Sequence, residues 1–483
     1  MSLAALRARI ADKELEIALQ RQTLAQLEAS LDELTSELFR LSTYPTLSLP
    51  PELLSEIFIH CLPAAGVDSS STNEAQAPLL LTQVCTTWKR VALGTPQLWT
   101  ALNCNFDLES WAGQRLIDAA AFWLRPEGAE TFKLGLFGHL MGHSHHEQLM
   151  DLVRINASRL STLCLCFHPE DFDEWARRKP QLDQLRELAI EVERRDVTSF
   201  IHLGDTFADS KYLHRVVLDS VLPSQIYLPW TQITEFECRN YSPAKAVELL
   251  DMLPNLLRFT IILSDPDTEE PRLPELHHST HPKLEYLRCS EGPDTGHTDI
   301  HMLAFLTLPN LTTLMPGRID DEVLLQFLDR SGWPPLTKLD FYDDCWESYT
   351  EILVRLQHLK ELHIDYPSRF IMGSITSGLK QDDPSFLPKL ERFSLFQRGI
   401  DAIGEFLTSV APAVRARNAR ANSDERFSRV RSVKITMLHG DPEWTRFQVP
   451  EKYLRVYRQL RDEGVEVHVG SPEYCFVNEL FMP

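Results

Sequence analysis

Four histidines crowd the segment "HLMGHSHHEQ", at His139, His143, His145 and His146. Imidazole is a common ligand of divalent metals, so the run invites a metal reading. A zinc site also needs further donors at fixed spacing, and only Glu147 stands nearby. The residues are better read as a solvated polar loop or helix start. His277, His278 and His281 in "HHSTH" pose the same choice. Cys164 and Cys166 alternate on one strand and so point one way, which suits a buried strand face better than a ligand pair. Arg415, Arg417, Arg420, Arg426, Arg429 and Arg431 gather in an otherwise acidic chain. They read as a docking arm for an acidic partner, or as an inserted, solvated helix or loop.

No nucleophile elbow, P-loop, HExxH or paired-glycine fingerprint is present. The many carboxylates have no base or nucleophile at a telling spacing. The reading is therefore a non-enzyme, with no catalytic residue, no cofactor and no metal, that works by binding.

Composition narrows what it binds. In 483 residues, 48 Lys and Arg face 69 Asp and Glu, a net charge of −21. That balance argues against nucleic acid and anionic membrane, both of which reward cationic surfaces. No apolar run reaches the roughly 18 residues of a spanning helix. Nine cysteines without CxxC spacing read as reduced thiols in a cytoplasmic or nuclear chain. The N-terminal segment has charges every few residues and no signal-peptide core.

The elements around these residues form three blocks. Residues 1–44 lack Gly and Pro and carry apolar residues at 3-4 spacing: Leu3, Leu6, Ile10, Ile17, Leu24, Leu27, Leu31, Leu34, Leu38 and Leu41. Lys13 and Gln20 interrupt this seam at d positions. The heptads predict a coiled coil. A parallel homodimer would pair Arg9 with Glu14 and Glu16 with Arg21 across the seam; the alternative is one long helix packed on its own domain.

Residues 45–100 read as a compact helical unit. The stretch "LPPELLSEIFIHCLP" (residues 49–63) is a short apolar helix stopped by proline at both ends. An Ala/Ser-rich segment, 64–78, reads as a flexible loop. Leu79, Leu80, Leu81, Val84, Cys85, Trp88, Val91 and Ala92 then fall at helical spacing until Gly94 and Pro96.

From residue 101 to 483 the form apolar-x-x-apolar-x-apolar recurs eleven times, from "LSTLCL" (160–165) to "VRSVKI" (430–435). Helix signals separate the repeats, as in "SPAKAVELLDMLP" with Ser242 as cap and Pro243 at the first turn. A strand-loop-helix unit cannot bury its own apolar face, so neighbours must stack. This predicts an α/β solenoid with a curved parallel sheet and outer helices. The helix "EKYLRVYRQLRDEG" and the edge strand "VEVHV" form its C-terminal cap.

The whole layout resembles an F-box protein with irregular leucine-rich repeats, similar to the large F-box families of mushroom-forming fungi. The resemblance rests on Leu49-Pro50, Glu52-Leu53-Leu54, Ile57-Phe58, Val84-Cys85, Trp88, Pro96, Leu98 and Trp99, about a tenth of the chain. It implies that the F-box docks on the Skp-family adaptor of a cullin ubiquitin ligase while the repeats hold a substrate protein. The adaptor-binding residues it implies are Leu49, Pro50, Pro51, Leu53, Leu54, Ile57, Phe58, Val84 and Trp88. The alternatives are a helical cap on the first repeat, and an interaction scaffold outside the ubiquitin system. Two departures stand out. The 64–78 loop is long for an F-box, and the repeats lack the asparagine that usually follows the strand, with His168, Glu193, Tyr241 and Ser264 at that place. An irregular solenoid is expected in consequence.

Overall fold

The computed structural model describes residues 3–41, 49–63, 71, 74–106, 114–125, 131–140, 145–193, 201–263, 278–291, 301–342, 349–381, 383–398, 403–438, 451–471 and 475–478. The chain divides into two compact units, Met1–Trp99 and Thr100–Pro483.

In the first unit, helix α1 runs unbroken over Leu3–Leu41, as a Gly- and Pro-free stretch allows. Helix α2 is Pro51–His60. Pro50 is extended, Pro51 fills the first turn where its missing N–H is harmless, and Glu52 complements the helix dipole. Helices α3 (Leu81–Val84) and α4 (Thr86–Gly94) follow, then a 3-10 turn at Pro96–Trp99. The periodicity predicts one helix here; the structure has two. Cys85 is extended between them, and its Sγ accepts the Trp88 N–H at 3.5 Å, so it caps α4 and breaks the stripe. Leu54, Phe58, Leu81, Val91, Ala92, Leu98 and Trp99 form the buried set. Trp99 Nε1 donates to the Ala92 carbonyl at 2.8 Å, and the Ser55 and Thr95 hydroxyls lie 2.9 Å apart. Most of the 64–78 loop lies outside the described residues.

The second unit is built on a parallel sheet of 14 strands in sequential order. They are β1 (Ala101–Asn105), β2 (Phe132–Gly138), β3 (Leu160–Phe167), β4 (Glu187–Val192), β5 (Arg215–Asp219), β6 (Glu235–Tyr241), β7 (Arg258–Leu263), β9 (Tyr286–Glu291), β11 (Thr313–Met315), β12 (Lys338–Tyr342), β13 (Glu361–Asp365), β14 (Arg392–Arg398), β15 (Ser432–Leu438) and β16 (Glu466–Gly470). A separate pair, β8 (Ser279–Thr280) and β10 (Leu306–Thr307), is also parallel. The helices are α5 (Gln114–Trp123), α6 (His146–Asn156), α7 (Pro169–Arg178), α8 (Pro243–Met252), α9 (Asp321–Arg330), α10 (Tyr349–Arg355), α11 (Arg369–Lys380), α12 (Ile403–Ala421) and α13 (Glu451–Asp462).

Right-handed crossovers between strands in sequential order would place the described helices on one side of the sheet. Burial agrees. The row Leu163, Leu188, Val216, Phe236, Phe259, Leu287, Leu314, Leu339, Leu362, Phe393 and Val433 is in register across successive strands and buried throughout. The leading apolar residue of each repeat, from Leu160 to Val430, is buried as well. Most of the alternate residues are half-exposed or exposed on the opposite face, which is helix-free among the described residues.

The eleven predicted strands are therefore present, and β1 and β2 extend the array beyond them. Leu102 with Cys104, and Phe132, Leu134 and Leu136, alternate as those strands should, but Thr131 stands where the leading leucine is expected. "VEVHV" is the edge strand β16, paired in parallel with β15. The predicted helices hold: Ser242 Oγ accepts from Lys245 N at α8, Asp320 caps α9, and Gly332 follows α9 with positive φ. Not every unit contains an α-helix, however. Between β5 and β6 only 3-10 turns occur, at Pro223–Gln225 and Trp230–Gln232.

In place of an asparagine ladder, successive turns are bridged by individual pairs. His168 Nε2 lies 3.2 Å from Glu193 Oε2, and Asn240 Nδ2 donates to Asp219 Oδ1 at 2.6 Å. Tyr241 Oη donates to the Val221 carbonyl.

Two readings are corrected here, the second in part. Cys164 and Cys166 lie on the helix-free face, because Leu163 and Leu165 take the buried side and a strand alternates with period two. The arginine-rich segment is in part α12 and in part the turn leading to β15; Arg415, Arg426, Arg429 and Arg431 are exposed there, as a solvated helix or loop implies, but Arg417 and Arg420 are not. Arg417 is fully buried, donates to the Leu387 carbonyl and stacks 4.3 Å over the Phe427 ring. Arg420 donates to the Leu379 carbonyl. These guanidiniums satisfy chain ends of the preceding repeat, a structural role that a count of charges does not reveal.

Candidate functional site

Two surfaces stand out, one in each unit. The first is the outer side of α2. Leu54 and Phe58 are 1% and 0% exposed, whereas Leu53 and Ile57, each one residue earlier, are 53% and 45% exposed. The helix thus has two apolar stripes, each at i, i+4 spacing, and the unit encloses only one. The Phe58 ring packs 4.8 Å from the half-buried ring of Trp88, which fixes the enclosed stripe against α4. Val84 on α3 is 54% exposed, and Leu80, four residues before it, is 43% exposed.

Of the residues singled out in the sequence, Leu53, Ile57, Val84, Pro50 and Pro51 face solvent and Leu49 is half-buried. Leu54 and Phe58 are internal, so their contribution is to hold α2 in place. Leu80 is among the apolar residues that fall at helical spacing in the sequence. The break at Cys85 makes α3 a single turn, and Leu80 stays outside while Leu81 is enclosed.

The second surface is the helix-free face of the sheet. Its first row is a ladder of complementary charges in register: Glu187, Arg215, Glu235, Arg258 and Tyr286 on successive strands. Arg215 lies 4.0 Å from Glu187 and 3.8 Å from Glu235, and Arg258 stacks 4.0 Å over the Tyr286 ring. A groove of about 190 Å³ opens between these side chains. Further along, Glu361 joins Lys338 at 3.7 Å and Arg392 at 2.7 Å.

Beside that ladder, Asp340 stands opposite His363 in register, and Asp365 follows two residues on. Their ligating atoms lie within 4.8 Å of one another, the one such trio among the described residues. His363 Nε2 and Asp365 Oδ1 form a 3.0 Å hydrogen bond. Burial alone would lower the imidazolium pKa. The Asp365 hydrogen bond and the charges of Asp340 and Asp365 outweigh it, so the net shift is upward. Burial pushes the Asp340 carboxyl up. The trio thus favours the charged imidazole more than solvent does, through the Asp365 hydrogen bond and the neighbouring carboxyl groups. Tyr342 and Tyr366 flank it with ring centroids 5.6 Å apart, and Tyr366 packs edge-on to Phe396 at 5.7 Å.

His139 Nδ1 bonds the buried carboxylate of Asp171 at 3.2 Å, and Asp171 also accepts the Leu140 N–H. His145 and His146 open α6. His143 and His277 lie outside the described residues, and His281 is buried against the Leu253 carbonyl. The sheet thiols are unsuited to nucleophilic work. Burial, then the Glu191 charge, pushes Cys164 up to about 11 and Cys166 up to about 12.

No helix among the described residues is long and apolar enough to cross a membrane. The chain matches no protein-family model, and a comparison with curated proteins finds no match either.

Proposed function

We propose that residues 45–100 are an F-box that docks the chain on an Skp-family adaptor of a cullin ubiquitin ligase. The repeats would then hold a substrate protein on the helix-free sheet face. The observation that carries this reading is the second apolar stripe of α2, with Leu53 and Ile57 bare beside the enclosed Leu54 and Phe58. An apolar stripe with no cover in its own unit is what an obligate partner would bury. Val84 and Leu80 add to the same kind of surface. The ordered motif from Leu49-Pro50 to Trp99 supports the identity of the partner.

The mechanism is tethering. The chain performs no chemistry; it raises the effective concentration of substrate beside the transfer machinery. The charge ladder and the Asp340–His363–Asp365 group offer hydrogen-bonding variety suited to a folded protein's surface rather than to a small apolar ligand. Such a receptor works in the cytoplasm or nucleus, in keeping with a chain without a spanning helix among its described residues.

The test is immunoprecipitation of the full chain from cells, probed for adaptor and cullin, beside a chain lacking residues 49–100. Recovery of both by the full chain and neither by the deletion supports the proposal. Substrate capture with no adaptor would instead make the chain an interaction scaffold outside the ubiquitin system.

A further inference from the structure

We infer that α1 is one strand of a parallel, in-register coiled coil whose second strand is another copy of this chain. Within α1 the described seam residues Ile17, Leu24, Leu27, Leu31 and Leu34 are 48–64% exposed. A helix of 39 residues gains most of its stability from covering such a stripe, and nothing described in the first unit covers this one.

Charge chooses the occupant. Lys13, at a core d position, pairs with Glu16 in its own helix, which draws the ammonium out of the seam toward the g position. Arg21, at e, is exposed. In a parallel dimer Glu16 at g meets the partner's Arg21 at e, five residues on, and Arg9 is matched to Glu14 in the same way. Thr23 with Glu28, and Ser30 with Thr35, are the next g–e pairs and carry no like-charge repulsion. The flanking charges therefore complement a second copy of this same segment. A dimer would carry each binding surface twice and so favour partners with two sites. The inference stands independently of what α2 docks on.

The test uses the purified full chain. Light scattering should give twice the 55.4 kDa chain mass at micromolar concentration. Leu24→Asp with Leu31→Asp should give a monomer whose remaining thermal unfolding transition is unchanged. Glu16→Arg should weaken the dimer about tenfold, and adding Arg21→Glu should restore it. Ile17→Cys should form an intermolecular disulfide under mild oxidation to a much greater extent than the wild-type chain. A wild-type mass of 55.4 kDa would overturn the dimer. Cross-linking no greater than wild type, or indifference to Glu16→Arg, would overturn its parallel register.

Discussion

The ring of Phe58 lies 4.8 Å from that of Trp88, tilted by 54°, and this contact decides which side of α2 looks outward. With Phe58 and Leu54 turned toward α4, the geometry of a helix leaves Leu53 and Ile57 about 100° away, in solvent.

The two stripes of α2 should answer differently to substitution. Phe58→Ala removes a fully buried ring and should cost about 3–5 kcal/mol, read from the denaturant unfolding of the full chain. Leu53→Asp with Ile57→Asp touches the exposed stripe and should shift stability by only about 0.5 kcal/mol. Equal losses would mean that the exposed stripe is covered after all.

Gly317 and Gly332 both have positive φ, +72° and +70°, but their surroundings differ. A Cβ at Gly317 would come within 2.9 Å of the Cys289 carbonyl, two strands earlier in the chain, whereas nothing lies within 4 Å at Gly332. Gly332→Ala should therefore cost about 1 kcal/mol, the left-handed penalty alone, and Gly317→Ala clearly more, about 2–3 kcal/mol. Thermal melts of the two variants compare them directly.

Much of this architecture was legible because the solenoid repeats a three-point apolar signal. Leu185, Leu188 and Ile190 say which face is buried without any tertiary knowledge, and the same spacing recurs down the chain. What escaped lacked that redundancy. The strand Phe132–Gly138 has Thr131 at its leading position, and the extended Cys85 breaks a helix that periodicity joins. The role of Arg417 was hidden because a buried guanidinium that serves the Leu387 carbonyl looks, in sequence, like any surface charge. On α2, sequence spacing marks nearly the whole helix as apolar. Only packing on Trp88 separates the residues that support the helix from those that face out.

His363 should give the sheet face a pH signature. Its folded pKa is raised above the unfolded value near 6.5, with burial opposing and the Asp365 hydrogen bond and neighbouring carboxylates prevailing. A base with a raised folded pKa contributes stability fully below the unfolded value, and that contribution is lost as pH rises through the folded one. The melting-temperature difference between wild type and His363→Gln should be largest below about pH 6 and shrink above the folded pKa. A difference that grows with pH would contradict the geometry of the trio. A protein substrate held at this face should show a related change in affinity between the same limits.

Titration calorimetry tests most directly whether the bare stripe of α2 docks an adaptor, as proposed. Purified full-length chain should bind purified Skp-family adaptor at about one-to-one stoichiometry per chain, with a Kd of about micromolar or tighter. Leu53→Asp with Ile57→Asp should abolish the heat of binding while leaving the melting curve in place. Absence of binding by the wild-type chain, or equal affinity in the double variant, would contradict that proposal.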